Sequence, residues 1–311
     1  MTRVPHLQAL AERVFARLAP RRGEGSVARY IPALAAIDPA RFALAIAHVD
    51  GRTGMAGDHD IAFSIQSVSK VFTLALALEK AGVEVWSRVG SEPSGTPFNS
   101  IVQLEKEHGI PRNPFINAGA IAVTDLLLAS EGPDTAIAAI LTFLQRASAS
   151  TGPFIDQEIA ASEAATGSRN ASLAHFMKSF GTLSCAVDDA LNVYFHQCAA
   201  SMTCGELARA GLFLANKGVD PLTGERLVSE QTCHTILSLM LTCGHYDASG
   251  DFALRVGMPG KSGVGGGILA IMPGVASIAV WSPGLNANGN SLVGTLALEA
   301  LAQETGWSIF R

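Results

Sequence analysis

The apolar run Phe42–Val49 stops at Asp50-Gly51, and this stop constrains the fold more than any other feature of the chain. Asp-Gly accepts the positive φ angles of a tight hairpin turn. Two antiparallel strands are therefore expected, over about 42–50 and 52–57. A helix is expected next, over about 67–81, closed by Gly82. Apolar residues then recur at helical spacing over 118–129, 134–147, 171–179, 186–198, 204–216 and 230–241. Thr203 and Glu206 have the spacing of a capping box, and Lys217-Gly218 reads as a helix stop. Strand patterning returns over 252–258, 265–272 and 276–282, and a last helix is expected over about 290–304. Sequential hairpins favour antiparallel pairing, so both strand regions are expected in one sheet. The expected fold class is α/β in the α+β sense, a mostly antiparallel sheet flanked by helices with a helical lobe. The chain reads as a single domain over 1–311. Residues 1–66 and 242–311 would form the sheet lobe and 67–241 the mostly helical lobe, with a cleft between them.

Composition narrows the function. Of 311 residues, 48% are hydrophobic and 16% charged, which suits a core-rich protein without a disordered tail. A net charge of −5 offers no basic surface, so neither nucleic acid nor an acidic membrane is expected as a partner. The five cysteines are odd in number and contain no C-x-x-C pair, as expected of reduced thiols in a cytoplasmic protein. Leu7, Leu10, Val14 and Leu18 line one face of an expected surface helix, while Glu12, Arg13 and Arg17 interrupt any signal-peptide core. Pro273-Gly274 divides the apolar stretch 268–281 into two strands and a turn, so no membrane span is expected there.

Ser67-Val68-Ser69-Lys70 is the only Ser-x-x-Lys in the chain. On a helix, positions i and i+3 share a face, which would bring the Ser67 hydroxyl and the Lys70 amine into one cleft. A serine needs a neighbouring base to become a nucleophile. A lysine can be that base when burial or nearby charge lowers its pKa. The blander reading is a helix that carries the pattern by chance. Lys261-Ser262-Gly263 is the second signal, set between two expected strands. Penicillin-recognising enzymes pair a Ser-x-x-Lys helix with a Lys-Thr-Gly strand, and serine keeps the hydroxyl. Gly263 and Gly265–Gly267 would let backbone approach a ligand closely. A backbone N–H there, with that of Ser67, could form an oxyanion hole. Otherwise the segment is a glycine-rich turn.

Other residues add polar chemistry. The chain has 14 Phe but only three Tyr (Tyr30, Tyr194 and Tyr246), so each phenol is expected to use its hydroxyl, if only in a buried hydrogen bond. Asn117 either holds an amide at a fixed point or caps a helix. Glu163 and Asn170 lie in 162–170, which reads as a polar loop. A carboxylate plus amides suits a zwitterionic amino acid, and a solvated loop is the alternative. Asp58-His59-Asp60 reads as a strand-to-helix loop. Without HExxH, C-x-x-C, a P-loop or a GxGxxG after a strand, no metal and no cofactor is expected.

Taken in order, these segments resemble the serine-dependent glutaminase family, which shares the β-lactamase and penicillin-binding-protein fold. The resemblance runs through GSVARYIP at 25–32, FSIQSVSKVF at 63–72, EPSGTPFN at 92–99 and NPFINAGAI at 113–121. It continues through SEAATGSRN at 162–170, NVYFHQC at 192–198, CGHYDASG at 243–250 and KSGVGGG at 261–267, covering about 24–308. It implies a β-lactamase-like fold and hydrolysis of the side-chain amide of L-glutamine to glutamate and ammonia. Ser67 would be the nucleophile and Lys70 its base, with Tyr194 and Tyr246 as further proton carriers. Tyr30, Ser67, Asn117, Glu163, Asn170, Tyr194, Tyr246 and Val264 would line the glutamine site, Val264 through its backbone N–H. Gln66, Lys261, Ser262 and Gly263 are secondary candidates. The resemblance also implies a homo-oligomer, a dimer or tetramer. A β-lactamase or D-Ala-D-Ala peptidase-like hydrolase is the enzyme alternative, and a non-catalytic acylated sensor is the alternative of another class.

Overall fold

The structure is a computed structural model that describes residues 6–95, 99–129 and 132–311. The hairpin forms at Asp50-Gly51. Strands β1 (Ala43–His48) and β2 (Thr53–Gly57) pair antiparallel with Ala47 opposite Thr53, and Gly51 takes φ 92°. The remaining strands are β3 (Phe63–Ser64), β4 (Phe154–Ile155), β5 (Ala200–Met202), β6 (Gly260–Ser262), β7 (Gly267–Met272) and β8 (Ala276–Trp281). The main sheet has the order β2-β1-β8-β7-β6, antiparallel throughout. The two ends of the chain thus share one sheet, joined where β1 runs against β8 from Ala43–Trp281 to His48–Ala276.

Side-chain alternation divides two cores across this sheet. Ala43, Ala45, Leu269, Ile271, Ala279 and Trp281 face the helices of the middle of the chain. Leu44, Ile46, Ile268, Ala270, Ile278 and Val280 face the helices Leu7–Leu18 and Leu292–Thr305. Because both faces are covered, β1 and β8 are buried along their whole length. Their sequences therefore read as continuous apolar runs rather than alternating ones. In the first core, helix Ser69–Ala81 packs with Asn117–Leu128, Pro133–Ser148, Val187–Cys198 and Glu230–Cys243. The capping box at Thr203–Glu206 is present. Among the described residues, no single helix is long and apolar enough to cross a membrane.

Several expectations are corrected. Residues 252–258 do not form a strand; Ser249–Arg255 is a helix. The alternation of Phe252, Leu254, Val256 and Met258 suggested a strand, but Leu254 is 85% exposed. Phe252 and Val256, four apart, form the buried stripe instead. Residues 162–170 are not a loop. Helix Gln157–Ala165 contains Glu163, and helix Ser168–Ser179 contains Asn170. Lys261-Ser262 lies within strand β6, not between strands. The expected helix 204–216 divides at Gly211 into Cys204–Ala210 and Leu212–Ala215. A second sheet, β3-β5-β4, was not anticipated. Its strands are two or three residues long, too short to carry a period.

Candidate active site

The polypeptide turns sharply just before Ser67. Residues Gln66–Val68 form a 3-10 turn that runs into helix Ser69–Ala81, so the expected helix start at 67 is a tighter coil. A 3-10 turn stacks i over i+3, so Ser67 and Lys70 keep a common side. Gln66 sits at φ 48°, a conformation that costs a non-glycine residue energy and concentrates at functional sites. Its side chain donates to Ser64 Oγ at 3.0 Å, and Ser64 Oγ donates to the Cys198 carbonyl at 2.8 Å. Ser69 Oγ donates to the Gln66 carbonyl at 2.6 Å. The strained turn is thus tied on three sides.

Lys70 is buried. Its amine donates to the Phe115 carbonyl at 3.1 Å and to Asn117 Oδ1 at 2.9 Å. Burial lowers its pKa to about 8, with Cys198 and Glu163 opposing the shift. The amine also stands 5.8 Å from the centre of the Tyr194 ring. Asn117 is the first residue of its helix and caps nothing; Ile116 is the N-cap. The Asn117 amide is committed instead to Lys70 and, through Nδ2, to Asn170 Oδ1 at 3.0 Å.

Lys261 is also fully buried. Its amine donates to the Ser262 carbonyl and stands 4.4 Å from the centre of the Tyr246 ring. Burial and then the charge of Lys70 push its pKa well below the ordinary lysine value. Burial is the first cause of the lowering in both lysines. Tyr246 takes φ 58°, and its phenol lies close enough to Ser67 for the serine to oppose the rise that burial gives its pKa. Burial raises the phenols of Tyr246 and Tyr194, so both are protonated and able to donate at neutral pH.

The turn after β6 lies directly on the serine. A Cβ at Gly263 would stand 2.6 Å from the Ile65 carbonyl and 3.2 Å from the Ser67 nitrogen. Gly266 closes this turn at φ 90°, its N–H donating to the Gly263 carbonyl, and Trp281 Nε1 donates to the Gly265 carbonyl at 3.0 Å. Val264 is therefore held beside the start of the serine turn.

A cavity of ≈ 80 Å³ opens over Ser67. Of the residues anticipated from sequence, Tyr30, Gln66, Ser67, Asn117, Glu163, Asn170, Tyr194 and Val264 line it. Lys70, Tyr246, Lys261, Ser262 and Gly263 do not line it. Tyr30 is 56% exposed, at the rim, whereas Tyr194 and Tyr246 are buried. Burial raises Glu163 to about 7, and a hydrogen bond from Gln66 and the charge of Lys70 oppose the rise. Asn99, Thr166, Arg169 and Cys198 also line the cavity and were not anticipated. Cys198 was legible in principle, because it lies one helical turn after Tyr194 on the same face. Its thiol is pushed up to about 12, chiefly by burial. Thr96–Phe98 of the EPSGTPFN segment lie outside the described residues. Among the described residues, no group of three or more His, Cys, Asp or Glu is placed to hold a metal ion.

A buried serine–lysine pair, a glycine turn on the serine and a small polar cavity with a carboxylate suit acyl transfer from a small polar substrate. A sequence model of the family described as Glutaminase matches residues 25–310. The chain belongs to the glutaminase family. It is 60% identical to a glutaminase of Agrobacterium fabrum (strain C58) over 304 residues, 98% of each chain. It is 61% identical to a glutaminase of Mesorhizobium japonicum over 311 residues, 100% of this chain and 98% of that one. A solved structure named as the probable glutaminase ybaS superposes with a TM-score of 0.94 at 40% identity, covering 98% of both chains. The fold is thus that of the bacterial glutaminases, with the β-lactamase-like arrangement of helices and antiparallel sheet.

Proposed function

We propose that this chain hydrolyses L-glutamine through a glutamyl ester on Ser67, with Lys70 as the base. Glutamine hydrolysis follows from membership of the glutaminase family across nearly the whole chain. The serine route rests on one observation. The Lys70 amine is buried, lowered to about 8 and held by two acceptors behind Ser67.

The steps follow from these positions. Lys70 takes the Ser67 proton as the oxygen attacks the side-chain amide carbon. The backbone N–H groups of Ser67 and Val264 are the donors proposed for the oxyanion. The leaving nitrogen must gain a proton to depart as ammonia. Lys70 or Tyr246, whose phenol lies beside Ser67, would supply it. Water then attacks the ester and gives a proton to the same group, and the departing Ser67 oxygen regains its proton from Lys70. Glu163 would face the α-ammonium group, and Tyr30, Asn117 and Asn170 the carboxylate and amide. We further infer one catalytic domain over 1–311, working in the cytoplasm as a dimer or tetramer. The five free thiols support a reducing compartment.

The test is ammonia release from glutamine and asparagine, and opening of a penicillin's lactam ring followed by absorbance, measured side by side with Ser67→Ala. Steady release from glutamine alone, lost in Ser67→Ala, is expected. Turnover by Ser67→Ala would remove the covalent route. Penicillin hydrolysis would favour a lactamase-like site, and one equivalent of ammonia per chain with no further release would favour a sensor.

A further inference from the structure

Tyr246 is held in a backbone conformation that its own chemistry disfavours. At φ 58° a bulky aromatic residue is an outlier, and such a turn persists only where its surroundings over-determine it. Two buried side chains outside the glutamine cavity supply that constraint. Ser249 Oγ accepts from the His245 N–H at 3.1 Å and donates to the Tyr246 carbonyl at 2.8 Å, so one hydroxyl brackets the turn. On the other side Asn290 reaches the same turn. Its Nδ2 donates to the His245 carbonyl at 3.4 Å, and its Oδ1 accepts from Ser262 Oγ on β6. Asn290 therefore joins the Tyr246 turn to the strand that carries Lys261, whose amine lies under the Tyr246 ring. The His245 ring stacks on Phe252 at 3.6 Å and closes the remaining side.

We propose that Ser249 and Asn290 are positioning residues, a two-sided clamp that holds the Tyr246 phenol against Ser67. Neither lines the cavity, so neither should govern glutamine binding. Without the clamp, the turn would relax toward negative φ and carry the phenol away from the serine. The proposal rests on the reading of Tyr246 as part of the serine machinery.

A double-mutant cycle tests it, using Ser249→Ala, Tyr246→Phe and the pair. Ser249→Ala is expected to lower kcat about tenfold while KM for glutamine stays within about twofold. In the Tyr246→Phe background, Ser249→Ala should cause no further loss, because there is no hydroxyl left to position. Losses that multiply in the double variant would overturn the clamp, since Ser249 would then act through the fold at large. An impaired Tyr246→Phe beside an unimpaired Ser249→Ala would overturn the clamp alone. Full activity in Tyr246→Phe would overturn the reading of Tyr246 and the clamp together. If thermal melting shows Ser249→Ala to be unfolded, Asn290→Ala is judged by the same cycle and the same outcomes.

Discussion

Lys70 Nζ stands 2.9 Å from Asn117 Oδ1 and donates to it, while a second N–H goes to the Phe115 carbonyl at 3.1 Å. A neutral amine has two N–H bonds and one lone pair; the ammonium form has three N–H donors and none. The two acceptors thus satisfy both hydrogens of the neutral form and leave its lone pair free to take a proton, that of Ser67 in the proposed route. The third hydrogen of the charged form would be the one taken from Ser67. Burial favours the neutral form.

The pH dependence follows with a definite sign. The base is active when neutral, so kcat should rise with pH and level off above about 8. Asn117→Asp keeps an acceptor beside Lys70 but adds a negative charge, which favours the ammonium form. The rising limb should then move to higher pH by roughly 1–3 units. Lys70→Arg should abolish turnover at every pH, because arginine does not deprotonate here. The measurement is ammonia release from pH 6 to 10. An unmoved limb in Asn117→Asp would assign it to another group.

Glu163 predicts a second, separate limb. Burial raises Glu163 to about 7 in the empty site, and the proposed pairing with the glutamine ammonium group requires its charged form. KM should therefore increase as pH falls below about 7. A charge-assisted hydrogen bond contributes on the order of 1.5–3 kcal/mol, so Glu163→Gln should raise KM roughly tenfold or more. It should also flatten the dependence of KM on pH. An unchanged KM in Glu163→Gln would place the carboxylate outside the recognition of substrate.

Ser67 is distinguished from its neighbours by what their hydroxyls do. Ser64 and Ser69 are engaged in holding the strained Gln66 turn. Removing either buried hydrogen bond costs about 1 kcal/mol and loosens the turn, so Ser64→Ala and Ser69→Ala should fold and keep part of their activity. Ser67→Ala should fold as well and release no ammonia above background. Circular dichroism with the ammonia assay separates these outcomes, and equal losses in all three variants would deny Ser67 a special role.

The parts of this architecture legible in sequence are those with a local cause. Asp50-Gly51 specifies the hairpin, and Thr203 with Glu206 specifies a helix start. Ser67 and Lys70 are three residues apart, so their relation needs only a helical turn. What was not legible depends on distant packing. Leu254 fits a strand pattern, and only the placement of Phe252 and Val256 against the second core shows it to be solvent-facing on a helix. Glu163 lies on a helix with little apolar periodicity, because this carboxylate takes a buried position at the cavity while Ala161, Ala164 and Ala165 face solvent. The burial of both lysines was also out of reach. Lys261 is 191 positions after Lys70 in the chain, and only the fold shows both amines buried, with the charge of Lys70 disfavouring that of Lys261.

Gly263 gives the last prediction, and it concerns shape alone. Its φ is not in the left-handed region, so alanine would be tolerated by the backbone there. The obstacle is space. A Cβ would lie 2.6 Å from the Ile65 carbonyl and 3.2 Å from the Ser67 nitrogen, both main-chain atoms that cannot swing aside. Gly263→Ala should push the 263–266 turn away from the serine and separate the Ser67 and Val264 N–H groups. Losing one oxyanion donor typically costs about 10²–10³ in kcat, and a loss of that order is expected here. The overpacking should cost about 1–3 kcal/mol of stability. Gly274→Ala is the matched control. Gly274 has φ 75° with open space around it, in the β7–β8 turn. Alanine there should lower stability by about 1–2 kcal/mol and leave kcat unchanged. Comparing kcat with thermal melting for the two variants separates strain from site geometry. If Gly263→Ala loses no more kcat than Gly274→Ala, the close approach of this turn does not set the oxyanion site.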